Sequence, residues 1–274
     1  MTPHPHDTSY DTTESFVEGA AEAPAATEGA FVWYLGYGSN MNPKVLTGRR
    51  KVAPVESVPV RVPGYKLTFD CPGFPFVEPS FASINVRPDA ADPVPELHGV
   101  AFKITRAEYA MIVQTEGLHY GDVHVLCHPT GAAAQAHAPF YAIALIIKPP
   151  YRRAGLAPSV RYKGLLVDGA HHHALPDAYQ TWLQSLPAWA PTTFRHKVAR
   201  VVQFAWAGPI FLALVGLRGV NRAIRGKDAP PPRFINWMFD GFSKLVWVSY
   251  QYCARYVFGN GGEVEHAAMG TAKL

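Results

Sequence analysis

A short apolar run, Phe31-Val-Trp-Tyr-Leu35, stops at Gly36-Tyr-Gly-Ser-Asn40. This juncture constrains the fold more than any other stretch of the chain. The run has strand length, and two glycines one residue apart end a strand abruptly. Glycine also lets backbone approach a ligand closely. Successive N–H groups at such a turn form a nest that can hold a carboxylate or a developing oxyanion. The competing reading is an ordinary strand-to-helix turn. Two sharper motifs are excluded. A dinucleotide fingerprint needs a third glycine where Met41 stands. A nucleophile elbow around Ser39 needs glycine in place of Tyr37 and of Met41.

Strand-like segments follow at 58–62, 65–69, 81–86, 97–104, 123–127 and 140–147. A short helix is expected over 43–50. Thr105 with Glu108 reads as a capping box for a helix that ends near Thr115. Further helices are expected over 159–166 and 176–186, the second with Tyr179, Trp182, Leu183 and Leu186 on one face. Strands dominate early and helices late, which gives α+β order. The chain has 25 prolines and 23 glycines among 274 residues, which fits strands joined by many turns and disfavours a helical bundle.

Residues 1–30 carry six acidic side chains and no Lys or Arg, which predicts a disordered acidic tail. They lack the basic start and early apolar run of a secretory signal. Residues 31–192 form the main domain. Residues 193–260 form a basic, aromatic extension with two helical segments, and 261–274 a flexible tail. Over 195–258, ten Lys/Arg stand against Asp228 and Asp240. No nucleic-acid motif accompanies this charge, so no nucleic-acid partner is expected. The apolar stretch 201–217 has 17 residues, short of the ~20 that span a bilayer. Gly208-Pro209 is expected to kink it. The segments are expected to pack on the domain or on a second subunit of a homodimer. Peripheral membrane contact stays open as the alternative. Three separated cysteines, Cys71, Cys127 and Cys253, make neither a disulfide framework nor a zinc motif. They indicate a reducing, cytoplasmic compartment.

Glu116 stands at the end of the expected helix and Gly117 caps it. The negative end of the helix dipole would raise the pKa of that carboxyl, which suits an acid that must also act as a base. A solvated helix-end Glu is the competing reading. His171-His-His173 is a poor metal site, because consecutive residues rarely converge on one ion, and a polar loop is expected there. Cys71 lacks an activating pattern. No metal or other cofactor is expected.

Together, Tyr34-Leu-Gly-Tyr-Gly-Ser-Asn-Met41, then Gly99-Val-Ala-Phe-Lys103, then Glu116-Gly117 resemble the γ-glutamyl cyclotransferases. So do Pro158-Ser, Tyr162, Leu166 and Gly169-Ala170, followed by Leu175-Pro, Tyr179 and Leu183. The resemblance covers about residues 33–187. Asp70-Cys-Pro-Gly-Phe-Pro75, Glu78-Pro-Ser-Phe-Ala-Ser83 and the extension are similar to a fungal branch that serves epidithiodiketopiperazine toxin pathways of the gliotoxin type. The resemblance implies a small mixed β-barrel with packed helices. It implies a γ-glutamyl substrate bound by Tyr34, Leu35, Gly36, Tyr37, Gly38, Ser39 and Asn40, with Tyr162 beside it. It makes Glu116 the acid/base, and 5-oxoproline the product. In the toxin pathways it implies a bis-glutathione conjugate as substrate. Many relatives carry a Tyr seven residues beyond that Glu, where this chain has Val123; Tyr120 is the nearby substitute. Other γ-glutamyl amines are the alternative substrates, and a non-catalytic, membrane-associated binding protein is the alternative class.

Overall fold

Period-two alternation builds the sheet. In β2, Val58, Val60 and Val62 are buried, while Ser57, Pro59 and Arg61 between them lie on the less buried face. The computed structural model describes residues 30–89, 91–116, 119–226 and 232–264. Its strands are β1 (Phe31–Gly36), β2 (Glu56–Val62), β3 (Tyr65–Phe74), β4 (Glu78–Val86), β5 (Leu97–Thr105), β6 (Tyr120–Pro129) and β7 (Phe140–Ile147). Five close into a barrel in the order β1, β5, β2, β6, β7. Neighbours run antiparallel, except where β1 meets β7 in parallel at Tyr34 and Ile143 and closes the ring. The fold is thus the expected α+β barrel with packed helices. β3 and β4 stand apart as a hairpin, with an irregular register between Thr68 and Cys71. Ser83 ties the hairpin to the barrel by accepting the Ile147 N–H at 3.1 Å.

The helices are α1 (Arg106–Glu116), α2 (Ala133–Ala136), α3 (Val160–His172), α4 (Asp177–Ser185), α5 (Phe194–Arg225), α6 (Arg233–Ser249) and α7 (Arg255–Phe258). The capping box forms at the start of α1: Thr105 N–H donates to Glu108 Oε2 at 2.9 Å, and Glu108 N–H to Thr105 Oγ1 at 3.2 Å. Three histidines expected in a loop are instead helical at their start, with His171 and His172 in the last turn of α3 and His173 as its cap.

Where a kink was expected, at Gly208-Pro209, α5 stays helical and runs for 32 residues with Pro209 inside it. Pro209 lies on the exposed face, as does Ala205, whose carbonyl loses its helical donor there and can turn to water. Ala199, Gln203, Ala207 and Leu214 form the buried stripe of α5. Ala207 and Leu214 pack with Phe74 of β3 and with Phe242 and Val246 of α6. Trp247 and Tyr250 fill a second cluster with Phe76, Leu156 and Trp189.

The expected tail over 261–274 begins too early. Gly261 N–H donates to Tyr250 Oη at 3.0 Å, and the Gly262 carbonyl accepts from Ala157 N–H at 2.9 Å. Gly262 has φ +125°, and a Cβ there would stand 2.1 Å from Pro79, so only glycine fits. The expected acidic tail before Ala30, the cap residue Gly117 and residues 265–274 lie outside the described residues.

Candidate active site

Strand alternation divides the glycine segment. Tyr34 turns toward a cavity, whereas Leu35 is fully buried in the barrel core. Gly36 pairs with Val100, and a Cβ on it would meet the Phe102 ring at 2.8 Å. Leu35 and Gly36, expected in the binding set, thus lie behind the cavity wall and not among the residues that line it. Tyr37, Gly38, Ser39 and Asn40 do line it, with Tyr162 and Glu116. Beyond Gly38 the chain makes one helical turn, Ser39–Met41, whose end rests on α3. Met41 and Asn42 N–H close that turn on the carbonyls of Gly38 and Ser39. The earlier N–H groups of the turn stand at its open N-terminal end. Space at Gly38 is tight: a Cβ there would lie 3.1 Å from Tyr162 Oη and 3.2 Å from Ala82 Cβ, closer than ordinary contact.

Asn40 organises the polar floor. Its Nδ2 donates to Tyr34 Oη at 2.7 Å and to Glu116 Oε1 at 3.1 Å. Its Oδ1 is buried and has no partner among the described residues. Glu116 also pairs with Arg50, whose other nitrogen reaches Thr115. Tyr37 donates to the Leu145 carbonyl, and Tyr162 Oη accepts from Ala82 N–H at 3.1 Å. Ser159 caps α3 by accepting the Tyr162 N–H at 2.9 Å, which fixes the turn from which Tyr162 projects.

Burial, first of all, pushes the phenols of Tyr34, Tyr37, Tyr120 and Tyr162 well above the ordinary tyrosine range. Each also faces the negative field of Glu116. They are neutral hydroxyls at physiological pH, fit for hydrogen bonding and not for taking a proton. Burial likewise pushes the Cys71 thiol up to about 12, so it is no nucleophile near neutrality. Among the described residues that line the cavity, Glu116 is the one carboxylate. No three His, Cys, Asp or Glu side chains among the described residues form a metal-sized group.

Other lining residues lie outside the expected binding set, among them Tyr120, the substitute named for the tyrosine missing at Val123. Arg50 closes the short helical segment after the glycine loop and reaches Glu116 across 66 positions. Its only signal was the Arg49-Arg50 pair there. Tyr120 lines the cavity and donates toward the Ala82 carbonyl at 3.3 Å, whereas Val123 pairs with Ala144 in the barrel wall. Cys71 and Phe74 from β3, with Phe211, Phe239 and Phe242 from the extension, add an apolar wall. Arg218 and Arg222 of α5 add charge at the rim. The cavity measures about 720 Å³, within the range of small-molecule sites.

No protein-family model matches the chain. It is similar to the gamma-glutamyl cyclotransferase gliK of Aspergillus fumigatus, 30% identical over 248 residues, which cover 84% of this chain and 89% of that protein. It is similar to the gamma-glutamyl cyclotransferase aclK of Aspergillus oryzae, 28% identical over 253 residues, with 87% and 92% covered. Among solved structures, the human uncharacterized protein loc79017 matches with a TM-score of 0.50 at 20% identity, over 60% of this chain and 93% of that one. That last likeness concerns the fold alone.

Proposed function

This chain belongs to the γ-glutamyl cyclotransferase family of enzymes, and we propose that it releases 5-oxoproline from a γ-glutamyl peptide or glutathione conjugate, with Glu116 as the acid/base. The observation that carries this is the pairing of Glu116, the one carboxylate lining the cavity among the described residues, with Asn40, whose buried Oδ1 is left to accept a hydrogen bond from the substrate. Glu116 takes a proton from the substrate's α-ammonium. The freed amine attacks the γ-carbonyl carbon and closes a five-membered ring. Glu116 returns the proton to the departing nitrogen as its C–N bond breaks, and the new ring nitrogen, which still carries both amine protons, sheds one of them to the freed amine, leaving the neutral lactam and a departing ammonium. The attack is intramolecular, so holding a folded conformer contributes much of the rate; well-oriented ring closures reach effective molarities of about 10⁵ M or more. The turn at Gly38–Asn40 offers N–H groups to the substrate carboxylate or the oxyanion. Glu116→Gln keeps the shape and removes the proton carrier. We expect 5-oxoproline release, followed by mass spectrometry, to fall by about 10²–10⁴-fold while ligand binding survives. Turnover within about threefold of the parent removes Glu116 from the mechanism.

The wall of Phe74, Phe211, Phe239 and Phe242 supports a bulky apolar amine component, as in a glutathione conjugate of a secondary metabolite. Assignment to a toxin pathway is part of this proposal, as is a cytoplasmic site of action.

A second observation supports peripheral membrane contact. The outer faces of α5 and α6 expose Val201, Phe204, Leu212, Trp237, Leu245 and Val248. α5 is long and apolar enough to cross a bilayer, with a mean hydropathy of 1.7 over its most apolar window and 22% of that window buried. Its Ala199–Leu214 stripe is covered by the domain, so crossing would strip that packing; lying in the interface would not. Arg195, Lys197, Arg200, Arg225, Arg233 and Lys244 flank the face. Asp240, the one described acid on these two helices, turns inward to His119. Apolar surface with a cationic border fits an anionic lipid surface. The full-length protein should float with phosphatidylserine vesicles and detach as salt rises. A protein that ignores such vesicles and sediments as a dimer would assign the face to a second copy.

A further inference from the structure

The cavity changes character from floor to rim. Its floor is phenolic and nearly neutral, with Glu116 and Arg50 offsetting each other. Its rim holds Arg49, Arg161, Arg218 and Arg222. Arg161 is matched by Glu78 at 2.9 Å. Arg218 and Arg222 are not matched by any carboxylate among the described residues; both hold Gln114. Arg218 Nη2 donates to the Gln114 carbonyl at 2.9 Å, and Arg222 Nη2 donates to its side-chain Oε1.

Two guanidiniums four residues apart share one face of a helix and repel each other. Both are partly withdrawn from water, and a charge so placed is stabilised by a counter-charge more than by a neutral amide. Burial and the charge of Arg222 already weaken the hold of Arg218 on its proton. An anion between the two would relieve that repulsion, and the planar forks suit a carboxylate. Position says which carboxylate. Gln114, Glu116 and both arginines line the same cavity, and the arginines enter it from α5, so the pair sits on the extension side of the reacting centre. The γ-glutamyl end is held by the floor. The departing amine must point toward the rim.

We propose that Arg218 and Arg222 form a recognition site for a carboxylate on the amine side of the γ-glutamyl substrate, which makes the C-terminal extension a specificity-determining part of the active site. This rests on the cyclotransferase reading. The pair does not touch the reacting atoms; it selects and orients the leaving group.

The test uses S-benzylglutathione and the same compound with its terminal carboxylate converted to the primary amide. The full-length enzyme should favour the carboxylate by about 10- to 100-fold in kcat/KM, the worth of a charged hydrogen bond, and mostly through KM. In the Arg218→Gln/Arg222→Gln double variant the two substrates should converge. Loss of kcat on both substrates alike, with the preference intact, would mean that the arginines only brace α1 against α5, and would overturn the proposal. So would the absence of any preference in the parent enzyme. Should neither compound yield 5-oxoproline, the cyclotransferase reading fails by itself. Calorimetric binding of both compounds to the Glu116→Gln protein, with and without the arginine changes, then decides the anion site: tighter binding of the carboxylate that depends on the pair supports it, and equal binding sinks it.

Discussion

At the scale of single residues, environment decides role. Glu116 is an acid at a helix end, and sequence alone leaves it either a solvated side chain or a catalyst. What favours the second reading is company: Asn40 and Arg50 both on its Oε1, and buried phenols around it. His173 shows the same logic with a measurable consequence. Burial, with a smaller push from His172, lowers its pKa from 6.5 to about 4, although the Met41 backbone opposes the shift. The folded protein thus holds it neutral where the unfolded chain would protonate it. That contribution is whole above about pH 6.5 and is lost as pH falls toward 4. Thermal midpoints measured from pH 7.5 to 4.0 should fall more steeply for the parent than for His173→Gln. Parallel slopes would show that His173 is not the group responsible.

At the scale of elements, the site depends on how closely two pieces of backbone approach. The turn at Ser39–Met41 rests on α3 at Gly169, where an added Cβ would lie 2.8 Å from Met41 and 2.9 Å from the Asn42 nitrogen. The contact is with backbone and cannot be relieved by a rotamer change. Gly169→Ala should cost about 1–3 kcal/mol, as overpacking does, and should shift the loop that carries Asn40. A urea midpoint within error of the parent, with unchanged 5-oxoproline release, would refute that account. The Gly169-Ala170 pair was legible as a motif, but its reason was not: a helix glycine tells nothing of which chain segment lies against it. The barrel strands were legible because alternation and turn residues are local signals. The separation of β3 and β4 into their own hairpin was not, since pairing partners are set by distant residues such as Ile147.

At the scale of the whole molecule, the extension is part of the domain rather than an appendage. It covers Phe76, Leu156 and Trp189, and its residues line the cavity. Deleting residues 193–274 leaves Glu116, Asn40 and Tyr162 in the chain but bares those apolar clusters. The truncated protein should aggregate, or melt well below the parent, when followed by light scattering during thermal unfolding. A soluble, fully active truncation would overturn this view of the extension. Its helical content was readable from composition, and the helix continues past Pro209 because the proline faces outward, where a lost backbone bond can be made good by water.

The sequence by itself determined the glycine turn after β1, the capped helix that ends at Glu116, and the ordered motifs that resemble one enzyme family. All of these rest on neighbours within a few residues, or on residue types fixed in order. Only the tertiary structure decided that Leu35 and Gly36 belong to the core, that Arg50 and Tyr120 belong to the site, and that α5 brings Arg218 and Arg222 to the rim. The reason is physical. A side chain's direction along a strand follows from local geometry, but its partners across 66 or 104 positions follow from how barrel, hairpin and extension bury their apolar faces together.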